Sequence, residues 1–107
     1  MTIVSKGSEH INSFLSYIRI ELGLSSNSIA SYSVDLNQFK KWVDKNFLYI
    51  HSIDEFNLEK YVRHIAKERN LKSATVNRKI ASIRGFFFFL RKKKIISINP
   101  AASLSSI

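Results

Sequence analysis

The sequence predicts an all-α fold, a compact bundle of four main helices. Only three Gly and one Pro occur among 107 residues, and the Pro stands at position 100, so little interrupts a helix before the chain's end. Apolar residues recur at intervals of three and four along four stretches, the spacing of one face of an α-helix. A hydrophobic content of 45% with 23% charged residues is that of an ordinary globular domain, and this length suits one core.

The first helix is expected from Ser8 to about Leu22, with Ser8 as N-cap and Gly23 just past the end. Its stripe is Ile11, Phe14, Leu15, Ile18 and Leu22. The second follows the cap candidate Ser26 and aligns Ile29, Tyr32, Leu36, Phe39, Val43 and Phe47, with Trp42 off the stripe. In the next turn Ser52 and Glu55 have capping-box spacing. The third helix, from about Asn57 to Arg69, is expected to bury Leu58, Tyr61, Val62 and Ile65. The fourth opens at Ser73 and runs to about Lys94, with Val76, Ile80, Ile83, Phe87 and Leu90 spaced 4-3-4-3 as a strict core seam. Four consecutive phenylalanines cannot share one face. Phe87 is central and Phe86 flanks it, while Phe88 and Phe89 point away, either to another surface or into surroundings that bury the helix on several sides.

After Lys94 the periodicity dissolves. Residues 1–95 read as the domain and 96–107 as the start of a linker toward a further domain, ending among small residues that bury little. Pro100 suits the first position of a new helix.

The charge is one-sided along the chain. Residues 1–68 carry eight basic and eight acidic side chains. From Arg69 onward there are nine basic residues (Arg69, Lys72, Arg78, Lys79, Arg84 and Arg91 through Lys94) and no acidic one. The formal +9 therefore belongs to one segment, a field that favours a polyanion. Complementing a helix dipole would explain Arg91 to Lys94 but not Arg78, Lys79 and Arg84. Opposite its seam the fourth helix sets Ala74, Thr75, Arg78, Ser82 and Gly85, four small residues around one guanidinium. A flat face at a helix start can approach a DNA groove, where Arg pairs bidentately with guanine O6 and N7. Asn77, Arg84 and Arg91, seven apart along one flank, suit a phosphate strand. The second helix opens with Ser25-Ser26-Asn27-Ser28, and Ser31 lies a turn further on; hydroxyls and helix-start N–H groups together cradle phosphate. Plain capping would need only one of them.

Other chemistries are poorly supported. The three His lie on separate segments without zinc spacing, and no Cys is present for a disulfide or a thiolate metal site. No Gly-rich phosphate loop, nucleophile elbow or carboxylate pair appears. No apolar run approaches the roughly 20 residues of a membrane span, and the N-terminus lacks a signal-peptide core. A soluble intracellular protein without metal, cofactor or active site is expected.

Read together, several stretches go beyond generic helices. They are Leu24-Ser25-Ser26-Asn27-Ser28; Tyr32-Ser33-Val34-Asp35-Leu36-Asn37-Gln38-Phe39; Thr75-Val76-Asn77-Arg78; Arg84-Gly85-Phe86-Phe87-Phe88-Phe89-Leu90; and Asn99-Pro100. The chain resembles, over nearly its whole length, the N-terminal SAM-like core-binding domain of tyrosine recombinases of the Xer and phage-integrase type. The resemblance implies two crossed helix pairs forming half of a clamp around duplex DNA, with the second and fourth helices presenting their N-terminal halves to the major groove. The DNA-binding residues it implies are Ser26, Asn27, Ser28 and Ser31 on the second helix and Ser73, Thr75, Asn77, Arg78 and Arg84 on the fourth. The implied partners are double-stranded DNA and other recombinase protomers in a synaptic complex, without cofactor or membrane, in the cytoplasm and on the nucleoid of a prokaryotic host.

Ser28 replaces the family's usual Thr and keeps the hydroxyl, whereas Phe88 stands where a polar or basic residue is usual. The family's strand-transfer residues belong to a C-terminal domain and are absent here, so the chain alone is expected to be inert and its parent a DNA breaking–rejoining enzyme. His64-Ile65-Ala66-Lys67 only superficially matches His-x-x-Arg, and none of Tyr17, Tyr32, Tyr49 and Tyr61 reads as a nucleophile. Two other readings compete: a helical protein–protein adaptor working through its Phe face, and a basic helix lying on an anionic membrane.

Overall fold

Each of the four periodic stretches forms a helix. The computed structural model describes residues 6–67 and 71–105, and among these there are helices and turns but no strand. Helix α1 spans Lys6–Ile20, α2 Ser26–Lys45, α3 Glu55–Lys67 and α4 Ser73–Lys92, with a 3₁₀ turn at Ile50–Ser52. The chain divides into two units, Met1–Ile50 and His51–Ile107.

In the first unit α1 packs on α2. Ile11, Phe14 and Ile18 of α1 and Leu36, Phe39 and Val43 of α2 are buried, as their spacing requires. Tyr32 meets Phe14 edge-on at 5.8 Å, so its ring belongs to the stripe, and Trp42 stacks beside Phe39 at 6.5 Å. The helix ends depart from expectation. Ser8 lies inside α1 rather than at its cap. Leu22 is exposed because α1 stops at Ile20, and Gly23, at φ +64, turns the chain so that Leu24 N–H donates to the Ile18 carbonyl at 3.0 Å.

Phe47 leaves the α2 stripe for a similar reason. It takes φ 57 and closes α2 in a Schellman turn, with Phe47 N–H on the Asp44 carbonyl and Leu48 N–H on the Val43 carbonyl, both at 3.0 Å. Its ring is 92% exposed. Lys94 repeats the device after α4, at φ 61, with Lys94 N–H on the Arg91 carbonyl and Ile95 N–H on that of Leu90.

In the second unit α3 packs on α4. α3 begins two residues before the expected Asn57 because Asp54, not Ser52, caps it. Asp54 Oδ1 accepts from Asn57 N–H at 2.8 Å and Asn57 Oδ1 accepts from Asp54 N–H at 3.1 Å, a capping box with Asn in the reciprocal role. Leu58, Tyr61 and Ile65 are buried and Val62 half-buried. Arg69 lies outside the described residues. On α4 the whole seam of Val76, Ile80, Ile83, Phe87 and Leu90 is buried.

The tail folds back. Asn99 Oδ1 accepts from Ala101 N–H at 2.9 Å across Pro100, which opens a single turn and not a helix. The expectation of a tail that buries little is corrected: Ile96, Ala101 and Leu104 are buried, and Ser103 Oγ donates to Glu55 Oε1 of α3 at 2.7 Å.

Phe47→Gly should stabilise the chain by about 0.5–1 kcal/mol, because glycine removes the left-handed strain and an exposed ring loses no packing. Phe87→Ala should cost about 3–5 kcal/mol through the cavity it leaves. Urea denaturation checks both, and the midpoints should move in opposite directions.

Candidate nucleic-acid interface

Two helix openings hold the residues singled out by sequence, one in each unit. At the start of α2 the cap is Ser25 and not Ser26. Ser25 is extended at φ −65, ψ 157, and its Oγ accepts from Ser28 N–H at 3.2 Å while lying 3.1 Å from Ser28 Oγ as donor. Ser26 and Asn27 then lie in the first turn and are exposed, whereas Ser28 and Ser31 are half-buried. The signal that finds the cap is the spacing Ser25-x-x-Ser28, one residue upstream of the one chosen.

At the start of α4 the N-cap residue is Lys72, which makes no side-chain cap hydrogen bond. Thr75 and Val76 N–H groups bond to its carbonyl at 3.0 and 3.1 Å. Ser73, Ala74 and Arg78 are exposed, and Thr75 and Asn77 are half-buried. Arg84 and Arg91 face solvent further along.

The face opposite the seam is narrower than the wheel implied. Ser82 is buried, donating through Oγ to the Arg78 carbonyl at 3.2 Å, so it offers no hydroxyl outward. Lys79 is buried as well, and the exposed basic set loses it. Of the two rings turned away from the seam, Phe88 is 62% exposed and Phe89 only 3%, so one meets the outer surface and the other is covered within the fold. These corrections share one cause. Ser82, Phe86 and Phe89 follow one another at i, i+4 and i+7 beside the seam, and that whole flank is buried, so α4 hides about half its circumference. The surface left runs from Arg84 and Arg91, through Phe88, Ala81 and Ala74, to Arg78.

The electrostatics of the helix ends differ. α1 has Glu9 and α3 has Glu55 in its first turn, but α2 and α4 have no acidic residue there. A helix start carries about half a positive charge, and α4 adds the Lys72 ammonium to it. The expected DNA-binding set leaves out Ser25, Lys72 and Asp35, and Asp35 is buried in mid-α2. Among the described residues no buried side-chain nitrogen or oxygen lacks a hydrogen-bond partner. No group of three or more His, Asp or Glu able to hold a metal occurs among them, and no helix is long and apolar enough to cross a membrane.

Comparison with known proteins bears on the same stretch. The family model described as phage integrase, N-terminal SAM-like domain, matches residues 11–94. The chain is 32% identical over 97 residues to the tyrosine recombinase XerC of Leptospira interrogans, covering 91% of this chain and 31% of that protein. It is 33% identical over 96 residues to the tyrosine recombinases XerD of Rickettsia bellii and of Haemophilus influenzae, covering 90% of this chain and 31% and 32% of theirs. The chain thus spans about a third of the length of the curated relatives it matches.

The cap assignment has a measurable consequence. Ser25→Ala should cost about 0.5–2 kcal/mol of stability, whereas Ser26→Ala should stay within about 0.5 kcal/mol. Thermal unfolding of the two variants distinguishes them.

Proposed function

Because the chain belongs to the phage integrase N-terminal SAM-like domain family, we propose that it is the sequence-specific duplex-DNA-binding arm of a site-specific tyrosine recombinase or integrase. The family assignment and the Xer relatives support a role in site-specific recombination. One observation carries the DNA-binding reading: the two helices that open without an acid each set two hydroxyl side chains in the first turn, Ser26 and Ser28 on α2 and Ser73 and Thr75 on α4. A carboxylate at either start would repel phosphate, while free N–H groups, hydroxyls and the Lys72 ammonium attract it.

In this reading Ser26, Asn27, Ser28 and Ser31 of α2 and Ser73 of α4 bind phosphate and sugar oxygens. Thr75 and Arg78 meet base edges in the major groove, Arg78 by pairing with guanine, and Asn77 lies on the flank that follows phosphate. Arg84 follows the phosphate strand. Residues 1–95 form the DNA-binding domain and 96–107 begin the connection to a C-terminal domain, which supplies the breaking and rejoining chemistry. The isolated chain neither cuts nor relaxes DNA. The working assembly holds other protomers on the same DNA, in the cytoplasm and on the nucleoid. The adaptor alternative keeps only Phe88 of its two-ring face, since Phe89 is buried.

Arg78→Ala should cost about 1–3 kcal/mol on the preferred site and relax preference at one base pair. Arg84→Ala should weaken every duplex alike and flatten the slope of log K against log salt by about 0.9. Fluorescence anisotropy on preferred and scrambled duplexes at several salt concentrations separates the two. Unchanged affinity in both variants would remove the α4 surface from the interface. Relaxation of supercoiled plasmid by the pure chain would overturn its assignment as an inert arm.

A further inference from the structure

Phe88 is an apolar ring set on the charged side of α4. It is 62% exposed and is the single large apolar side chain that this helix turns to solvent, whereas Phe86, Phe87 and Phe89 are buried. Arg84 stands one turn before it and Arg91 and Lys92 one turn after, all three exposed. At about 100° per residue, Asn77, Arg84 and Arg91 lie about 60° to one side of the line through Ala74, Ala81 and Phe88. Arg78 and Lys92 lie about 40° to the other side. The ring thus sits between two rows of cations. It adds little packing to the fold, and whatever the cations draw against α4 takes it out of water.

This arrangement matches the cross-section of a major groove. Such a groove admits an α-helix, with phosphates along its rims and base edges on its floor. Two rows of cations meet the two rims, and the uncharged side chains between them face the floor. Most groups on that floor are hydrogen-bond donors and acceptors, which a phenyl ring would leave unpaired. The exception is the C5-methyl group of thymine, the one apolar group that a base pair presents there. An anionic lipid surface would also attract the cations. A helix lying on a bilayer needs a broad apolar face, however, and here one ring stands alone.

We propose that Phe88 is a specificity-determining residue that packs on the C5-methyl group of a pyrimidine in the major groove. The contact rests on the duplex-binding reading above and gives it a second base-reading side chain of different chemistry. Arg78 reads hydrogen-bond acceptors, and Phe88 reads a methyl group. Phe88 lies ten residues beyond Arg78, about 15 Å along the helix axis, which corresponds to about four to five base-pair steps. The methyl group stands at that distance from the guanine assigned to Arg78. A 5-methylcytosine presents the same group in the same place, so the contact also responds to base methylation.

The preferred duplex, selected by the 107-residue chain from a random pool, provides the test. Each thymine in turn is replaced by deoxyuridine, which removes only the methyl group, and binding is followed by fluorescence anisotropy. One replacement, about four to five base pairs from the pair at which Arg78→Ala relaxes preference, should weaken the parent about three- to tenfold. Phe88→Ala, at an exposed helix position that alanine favours, should bind the thymine and deoxyuridine duplexes alike. With a C·G pair at that position, 5-methylation of the cytosine should tighten binding by the parent and not by Phe88→Ala. Arg84→Ala should bind every duplex more weakly and keep the methyl preference. A parent that prefers its sequence but ignores every methyl group overturns the contact and leaves duplex binding standing. So does a Phe88→Ala variant that keeps the preference. A parent that binds no duplex overturns both. Loss in Phe88→Ala of binding to anionic phospholipid vesicles, with the methyl preference unchanged, assigns the ring to lipid instead.

Discussion

The buried seam of α4 sets the rotational phase of one helix, and with it the direction of most of the chain's excess charge. Val76, Ile80, Ile83, Phe87 and Leu90 are almost wholly removed from solvent. Each such side chain contributes about 1.5–3 kcal/mol by its burial, so turning the helix to expose the seam is far outside thermal reach. With the seam fixed inward, Arg78, Arg84 and Arg91 have nowhere to go but outward. The basic surface is thus the reverse side of a packing solution. It stays in place even though like charges along one helix repel.

The helix starts show how far electrostatic convenience has been set aside. An acid in the first turn of α2 or α4 would complement the helix dipole by about 0.3–1 kcal/mol, as Glu9 and Glu55 do for α1 and α3. α4 instead opens on a lysine, the sign the dipole disfavours, with no side-chain cap. α2 keeps a modest cap through Ser25. Stabilisation is thus forgone at two helix starts, and hydroxyl side chains stand there instead.

The existence and faces of all four helices were legible as period, because burial of one face is what creates the period. Element ends were less so. Ser25 in place of Ser26, Asp54 in place of Ser52 and the escape of Phe47 from its stripe are each decided by one or two hydrogen bonds, to which apolar spacing is blind. The width of the buried arc on α4 was also hidden. Ser82 looks like a surface residue until its hydroxyl is seen on the Arg78 carbonyl, and nothing in four identical phenylalanines says which of the last two is covered. Of the candidate residues on α4, the exposure of Arg78, which stands opposite the seam, was legible. Arg78 and Arg84 are exposed, whereas Thr75 and Asn77 sit half inside.

The folded-back tail carries an implication for how the chain tolerates change in length. A bare connector accepts added or missing residues with little penalty. Here the turn at Asn99 and Pro100 carries Leu104 to its buried place and Ser103 to Glu55, and each added residue can shift those side chains by about 3.5 Å. Between Lys94 and Leu104 the number of residues is therefore as constrained as their identity, and an insertion there would act like a core substitution.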